Sequence, residues 1–179
     1  MIAGLGNDVI TSDSGSSHII ADYGSLHYNA AGILVSAVTT DANLGGDDRV
    51  SLVQGDNVIL AGDGQDRVQT GSGTDYIVGD NGEISFDDAG VVTRVATTFY
   101  EQGNHDNINA GDGLNFVLAG IGNDAIISGD NDDWIVADNG EINFVDGIAR
   151  SLMGTDTVAS TAGDNTITSG RGMTALLLA

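Results

Sequence analysis

The chain of 179 residues contains no cysteine and few basic residues. Without cysteine it has neither a disulfide framework nor a thiolate metal site. Lys and Arg together number 5, against 26 Asp and Glu, so the formal net charge is -21. Such a chain lacks the basic patch that nucleic-acid binding needs, and its carboxylates repel one another unless a cation neutralises them. We therefore expect no nucleic-acid partner, and we expect a cation that prefers oxygen ligands, such as calcium.

Long apolar runs and a secretory leader are also missing. No stretch is long and apolar enough for a transmembrane helix, so we expect no membrane insertion. The first residues, Met1 to Gly4, lack the basic start and apolar stretch of a signal peptide. Because the chain opens inside a repeat, we expect a fragment of a longer protein or export through a C-terminal signal. Disorder is not expected, because 41% of the residues are hydrophobic and the 27 glycines recur at regular intervals.

A long period organises the sequence. Asp22, Asp80 and Asp138 each open an Asp-x-Gly tripeptide, and successive copies lie 58 residues apart. We expect a single solenoid array over residues 1–179, because such a repeat is typical of stacked architectures. The expected super-repeats are approximately 1–44 (partial), 45–102, 103–152 and 153–179 (partial). The last copy is predicted to be shorter, because Asp106 is matched to Asp156 at an offset of 50 residues.

A period of nine lies inside the long one. In thirteen units the eighth residue is aliphatic, namely Ile10, Ile19, Val50, Ile59, Val68, Ile77, Ile108, Val117, Ile126, Ile135, Val158, Ile167 and Leu176. One such residue per unit predicts a short strand with a single inward side chain. The fourth residue is glycine or asparagine, which favours a turn with positive φ, and this glycine density excludes helices. Each unit is therefore a turn and a strand, and two units form one rung of parallel sheets.

The sixth position of each unit carries a side chain with an oxygen atom. These residues are Asp8, Ser17, Asp48, Asn57, Asp66, Asp75, Asp106, Asn115, Asp124, Asp133, Asp156, Asn165 and Thr174. A single aspartate in such a place is most simply a turn cap. Stacked aspartates are different, because neighbouring rungs are only about 4.8 Å apart and like charges at that distance repel. The column therefore favours a bound cation over simple capping.

The units match the pattern G-G-x-G-x-D-x-U-x, most closely at residues 3–11, 61–69, 70–78 and 119–127. The chain thus resembles the RTX family of secreted calcium-binding repeat proteins. The resemblance implies an all-β parallel β-solenoid, or β-roll, with several Ca²⁺ ions between turns on the same side. It also implies that the ions take the turn carbonyls and the sixth-position aspartates. The implied metal residues are Gly4, Gly6, Asp8, Asp48, Gly62, Gly64, Asp66, Gly71, Gly73, Asp75, Asp106, Gly120, Gly122, Asp124, Asp133 and Asp156, with Asp22, Asp80 and Asp138 completing further sites.

Units two apart in sequence are expected to stack on the same side of the solenoid. The expected neighbours are Asp48 with Asp66, Asp106 with Asp124, Asn57 with Asp75, and Asn115 with Asp133. Two carboxylates balance one calcium ion, whereas an Asn–Asp pair is one charge short. We therefore expect tighter binding on the side of Asp48 and Asp66 than on the side weakened by Asn57, Asn115 and Asn165.

The segments between the nonapeptide blocks have another design. Residues 25–40, 83–99 and 141–153 each place two strand-like stretches around a Gly-containing turn, which predicts a β-hairpin in every 58-residue repeat. Alternate units carry apolar residues at the outward seventh and ninth positions, such as Phe116 and Leu118. Because an apolar sheet face of this extent needs a cover, we expect the hairpins or a neighbouring chain to pack on it.

No catalytic constellation is visible. His18, His27 and His105 are far apart in sequence, and neither a G-x-S-x-G elbow nor a P-loop occurs. We therefore expect no enzyme and no small-molecule substrate. The favoured function is an extracellular or cell-surface structural module, part of an adhesin or filament, that associates head to tail. The alternative is a calcium-triggered folding and export module of a type I secreted enzyme or toxin. The outward columns are too mixed for a carbohydrate- or ice-binding face.

Overall fold

A computed structural model of the chain describes residues 1–156 and 161–178. The described residues form eighteen strands and no helix, so no helix among them could cross a membrane. The strands are β1 (Val9–Ser12), β2 (His18–Ile20), β3 (Gly24–Tyr28), β4 (Leu34–Thr39), β5 (Arg49–Leu52), β6 (Asn57–Leu60), β7 (Arg67–Gln69), β8 (Asp75–Val78), β9 (Gly82–Phe86), β10 (Val92–Thr97), β11 (Asn107–Gly111), β12 (Asn115–Leu118), β13 (Ala125–Ser128), β14 (Asp133–Val136), β15 (Gly140–Val145), β16 (Ile148–Gly154), β17 (Thr166–Ser169) and β18 (Thr174–Leu177).

Two parallel sheets form the solenoid. The first sheet has the order β1-β5-β7-β11-β13-β17, and the second has the order β2-β6-β8-β12-β14-β18. The eighth-position residues face each other between the two sheets and form one core, as predicted, with Ile59, Ile77 and Ile108 fully buried. Leu176, in the last rung, is 45% exposed, and Val158 lies outside the described residues.

The turns between these strands have the backbone that the fourth position predicts. Gly6 has a φ of 99° and Gly122 a φ of 136°, both in the left-handed region. Asn131, which replaces glycine at the fourth position, has a φ of 99°. Asparagine adopts this conformation more readily than most residues, because its short side chain hydrogen-bonds locally. The chain therefore turns about every nine residues, between one short strand and the next.

The hairpins form a third sheet, here called the hairpin sheet. It is antiparallel, with the order β16-β15-β10-β9-β4-β3. Its inner face packs on the outer face of the second sheet, and this second core includes Phe116, Leu118, Ile84, Val95 and Ile142. The predicted hairpins and the predicted cover of the apolar face are therefore confirmed, and hairpins of this chain provide the cover.

The last repeat departs from the expectation. Its hairpin is not shortened, because β16 extends to Gly154 and includes residues 151–154, which the nine-residue pattern assigns to a solenoid unit. β13 pairs next with β17, and β14 pairs with β18. The unit at 160–168 therefore belongs to the first sheet and the unit at 169–177 to the second, opposite to the prediction. Alternating apolar residues such as Leu152 fit a hairpin strand as well as a solenoid turn, and Leu152 packs on the second core.

Candidate metal centre

The sixth-position side chains stand in two columns along the solenoid, one before each parallel sheet. The column before the first sheet, here the acid flank, is Asp8, Asp48, Asp66, Asp106, Asp124 and Asn165. The column before the second sheet, here the amide flank, is Ser17, Asn57, Asp75, Asn115, Asp133 and Thr174. The four predicted neighbour pairs are all adjacent. Asn165 lies on the acid flank, however, and the prediction that it weakens the other side is wrong.

Hydrogen bonds hold every side chain of the acid flank after Asp8 in the same position. Oδ1 of each of these five residues accepts the backbone N–H of the preceding member. The N–O distances are 2.7 Å for Asp8 to Asp48, 2.7 Å for Asp48 to Asp66, 2.8 Å for Asp66 to Asp106, 2.8 Å for Asp106 to Asp124 and 2.8 Å for Asp124 to Asn165. This leaves one carboxylate oxygen per rung free to bind something else.

Those second oxygens are buried and have no hydrogen-bond partner among the described residues. They are Oδ2 of Asp8, Asp48, Asp66, Asp106 and Asp124. A buried anionic oxygen without a partner costs several kcal/mol, of order 1–3 for each polar atom and more when it is charged. Five such atoms in one column therefore require a positive partner that protein side chains do not supply here.

Electrostatics leads to the same requirement. Burial raises the pKa of Asp48 to about 6, of Asp124 to about 7 and of Asp66 to about 8. Burial, followed by the charges of Asp80 and Asp66, raises the pKa of Asp106 well above its usual range. The ion pairs of the described residues both involve Arg94, in the hairpin sheet, with Glu83 and Glu141. No basic side chain of the described part of the chain thus forms an ion pair with the acid flank.

One further aspartate per repeat approaches the acid flank from inside. Asp22 accepts the N–H of Asp63 through Oδ2 at 2.6 Å and leaves a buried Oδ1 without a partner. Asp80 accepts N–H groups from Asn104 at 3.1 Å and Ile121 at 2.5 Å. Burial, with a smaller contribution from nearby aspartates of the flank, raises the pKa of Asp22 to about 7 and that of Asp80 well above its usual range.

Asp138 occupies the same place in the last repeat. It accepts Gly163 N–H and Asn165 Nδ2–H through Oδ1, both at 3.0 Å. All three inner aspartates are at most 3% exposed. The carboxylates of all three accept hydrogen bonds from backbone N–H groups of the turns, and Oδ1 of Asp22 has no partner among the described residues.

Carboxylates alone do not build a metal site. Within residues 1–156 and 161–178, no three or more His, Cys, Asp or Glu side chains are grouped so that they could hold an ion. An ion would therefore also need backbone carbonyls, which calcium accepts readily. Gly79 illustrates the available oxygens, because a Cβ there would collide with both Asp106 Oδ2 and the carbonyl of Ala119.

The predicted glycines line these turns. Gly62 and Gly120 lie against the carboxylates of Asp22 and Asp80, where a Cβ would collide with Oδ2. Other predicted glycines stack on the carbonyl of the neighbouring turn, namely Gly64 on Gly46, Gly71 on Val53, Gly73 on Gly55 and Gly122 on Asn104. Gly4 and Gly6, in the first rung, have no neighbour within 4 Å of a Cβ position.

The prediction that Asp156 occupies a sixth position is wrong. Its carboxylate lies beside Asn139, where Oδ2 accepts the backbone N–H at 3.1 Å and Oδ1 accepts Nδ2–H at 2.9 Å. Asn165 takes the expected place next to Asp124. The cause is the full-length third hairpin, which moves the return of the chain to the solenoid further along the sequence.

A second, outer ladder at the fifth position of the units was not predicted from the sequence. Asp47 N–H donates to Asn7 Oδ1 at 3.2 Å, and Gln65 N–H donates to Asp47 Oδ1 at 2.9 Å. His105 accepts in the same way, through Nδ1 from Asn123 N–H at 2.7 Å. The signal was present as a column of mostly hydrogen-bonding residues every nine positions. This ladder is exposed, and it aligns the turns that carry the acid flank.

A family model for the RTX calcium-binding nonapeptide repeat matches residues 1–25, 51–83, 103–141 and 153–172, which is more than half of the chain. The chain belongs to this RTX repeat family. RTX nonapeptide repeats bind several Ca²⁺ ions, and the family is a structural repeat and not a catalytic one. Comparisons with curated proteins and with solved structures gave no match.

The acid flank fits the ion that RTX repeats bind. Calcium prefers hard oxygen ligands, and each of the five aspartates of this flank offers one free buried carboxylate oxygen together with nearby turn carbonyls. Two negative charges from successive aspartates balance one divalent ion. The raised pKa values have the same origin, since they record the cost of burying these carboxylates with no cation beside them.

Proposed function

We propose that this RTX repeat array is a calcium-stabilised structural module of an extracellular surface protein, such as an adhesin or a filament. The observation that carries the proposal is the column of free buried carboxylate oxygens on the acid flank. The ligands are Asp8, Asp48, Asp66, Asp106 and Asp124 together with carbonyls of the glycine turns. RTX repeats are typical of secreted proteins, which supports a location where calcium is abundant.

End-to-end extension is the second part of the proposal. Among the described residues, β1, β17 and β18 pair on one side only, whereas residues 1–3 bridge the outer edge of β2. A sheet edge presents unpaired N–H and C=O groups that accept another strand. A further rung fits there, either from a continuing chain or from a second copy. The 58-residue repeat supports this role, because a rod lengthens when copies are added.

Bound calcium and particle size test the two parts together. We expect equilibrium dialysis to find several ions per chain, and light scattering with electron microscopy to find elongated oligomers once calcium is present. Leu176→Asp places a charge in the last rung and is expected to block the oligomers while calcium binding persists. Val145→Asp is the matched control, because Val145 is 55% exposed at a hairpin turn, against 45% for Leu176. No bound calcium would refute the module. A calcium-loaded monomer at every concentration would instead favour the export role.

A further inference from the structure

An open groove of about 520 Å³ lies where the hairpin sheet meets the second sheet, between the turns that lead into that sheet and the tips of the first two hairpins. Its apolar walls include Leu34, Val58, Tyr76 and Phe86, and the exposed Asp56 adds a carboxylate. Ligand sites in proteins are typically concave and largely apolar, with volumes of about 300–1,000 Å³ and a few polar groups that orient the ligand. The groove has the size and the lining of such a site.

The groove is open because Val58 is a small residue. Its counterpart 58 residues later is Phe116, which is 2% exposed and meets Phe144 edge-on at a centroid distance of 4.9 Å. Phe144 is in turn the counterpart of Phe86, which lines the groove. A phenylalanine ring therefore fills, in the later copy, the space that valine leaves open in the earlier one.

The charge of the groove differs between the two copies as well. The counterpart of Asp56 is Leu114, so the later copy has no carboxylate at this position. Among the described residues, neither ion pair involves Asp56, and His18 is the only basic side chain that lines the groove. Burial, followed by the charge of the N-terminus, lowers the pKa of His18, so its ring is neutral near pH 7. The open space thus occurs together with one unpaired negative charge.

Tyr76 presents an aromatic face to the groove. It lies on β8, between Val58 on β6 and Phe116 on β12. One face of its ring stacks on Phe116 at an interplanar angle of 7°, so the opposite face is directed at Val58 and the open space. Phe86 meets the same ring edge-on at a centroid distance of 6.1 Å. Burial, followed by the charge of Asp56, raises the pKa of Tyr76 to about 12, which shows that the carboxylate acts on this ring.

An organic cation with an apolar body matches this lining. The face of an aromatic ring attracts a cation, a nearby carboxylate balances the charge, and apolar side chains contact the carbon groups of the ligand. A methylated ammonium suits the groove better than a primary one, because N–H donors that face Leu34 and Val58 would have no acceptor. A metal ion suits it poorly, since one carboxylate on an apolar wall provides too few oxygen ligands.

We propose that the groove formed by Val58, Tyr76 and Asp56 binds a small methylated ammonium compound, with the cation against the free face of Tyr76 and its charge balanced by Asp56. The site lies between the second sheet and the hairpin sheet, so it is separate from the acid flank. It adds ligand binding to the proposed structural function and does not depend on end-to-end assembly.

Choline tests the proposal in the full chain at saturating calcium, because its neutral carbon isostere, dimethylbutanol, has nearly the same shape. We expect isothermal titration calorimetry to show one choline per chain, bound about tenfold more tightly than dimethylbutanol. Choline should also bind more tightly than the primary amine butylamine. Absence of choline binding, equal binding of dimethylbutanol, or tighter binding of butylamine would each overturn the proposal.

Asp56→Asn is expected to weaken choline binding about tenfold, because it removes the charge. It retains Oδ1, which accepts the N–H of Thr74 at 2.8 Å. Asp47→Asn is the matched control, since Asp47 is also an exposed fifth-position aspartate and its Oδ1 accepts the N–H of Gln65 at 2.9 Å. Asp47 belongs to the other flank, so its replacement should leave the choline affinity unchanged. Equal weakening by both variants would assign the binding to the net charge of -21 and refute the site.

Val58→Phe should abolish choline binding while preserving the β-sheet circular dichroism and the calcium count, because the fold accepts phenylalanine at the counterpart, Phe116. Retained choline binding in this variant would contradict the assignment to the groove. If the variant does not fold, the comparison of choline with dimethylbutanol on the wild type decides. Calcium binding without choline binding would refute this inference alone, and choline binding without calcium binding would refute the proposed function alone.

Discussion

Removal of calcium at pH 8 is expected to abolish most of the β-sheet circular dichroism of the protein. The acid flank buries a row of carboxylates, and pH 8 lies at or above the raised pKa values of Asp48, Asp124 and Asp66, which are about 6, about 7 and about 8. These three side chains must therefore carry much of their charge in the folded state. For Asp66 the rise in pKa from 3.8 to about 8 corresponds to roughly 6 kcal/mol. Several such residues stand in one column, so their combined cost is comparable to the typical stability of about 5–15 kcal/mol for a domain.

The measurement is a calcium titration of protein that has been stripped with EDTA and exchanged into calcium-free buffer. We expect the β-sheet signal to return as calcium is added, whereas magnesium at the same concentration restores little. Magnesium demands a small octahedral shell and retains its water, so it fits a carbonyl-rich turn poorly. Sodium chloride at equal ionic strength is the control for simple screening. A full β-sheet signal without calcium at pH 8 would contradict the prediction.

Protons are expected to replace calcium in part. The folded pKa values of Asp22, Asp48, Asp66 and Asp124 lie between about 6 and about 8, above the ordinary aspartate pKa of 3.8. Between these limits the folded state binds more protons than the unfolded state, so stability falls as pH rises through the folded values. The calcium-free protein should therefore be substantially more folded at pH 5 than at pH 8.

The pH experiment uses circular dichroism of the stripped protein from pH 8 down to pH 5, which remains above the isoelectric point of about 4.1. Asp66→Asn removes one of the buried carboxylates whose ionisation opposes folding, so it should move the refolding midpoint to higher pH. With calcium present the sign reverses, because protons compete for the same oxygens, and the calcium affinity should fall as the pH drops below 7. Equal unfolding at pH 5 and pH 8 would show that buried carboxylates are not the cause.

The solenoid could be predicted from the sequence because each of the two repeating signals in the nine-residue units has a single physical cause. An inward aliphatic residue such as Ile77 must recur once per strand, and a left-handed turn must recur once per unit. Both demands recur every nine residues whatever the surroundings, so the parallel sheets, their core and the neighbour pairs on each flank could be predicted. The hairpins were equally visible, since two alternating stretches around a glycine form a local structure.

The features that were not predicted depend on contacts that the nine-residue pattern does not specify. Leu152 has the same alternation in a hairpin strand as in a solenoid strand, so the pattern did not show that the third hairpin runs to Gly154. The misplacement of Asp156 and Asn165 follows from that ambiguity. The hydrogen bonds of Asn57 could not be predicted either, because the direction of its amide hydrogens depends on the turn of the same unit and on the next rung.

Phe116→Ala is expected to lower the free energy of unfolding by about 3–5 kcal/mol, the usual cost of removing a buried phenylalanine. Phe116 is 2% exposed between the second sheet and the hairpin sheet. Its ring stacks on Tyr76 at a centroid distance of 5.1 Å and meets Phe144 edge-on at 4.9 Å. Alanine would leave a cavity where two sheets meet, and neither backbone can move to fill it.

Chemical denaturation in saturating calcium measures this loss, with Phe99→Ala as the matched control. Phe99 is 48% exposed, so its truncation should change stability by well under 1 kcal/mol. The ion count of Phe116→Ala should equal that of the wild type, because the ring of Phe116 packs in the second core, whereas the free buried carboxylate oxygens belong to sixth-position and inner aspartates outside that core. If Phe116→Ala cost no more than Phe99→Ala, the hairpin sheet would not be docked on the solenoid in solution. If it also reduced the ion count, the second core and the acid flank would fold as one cooperative unit.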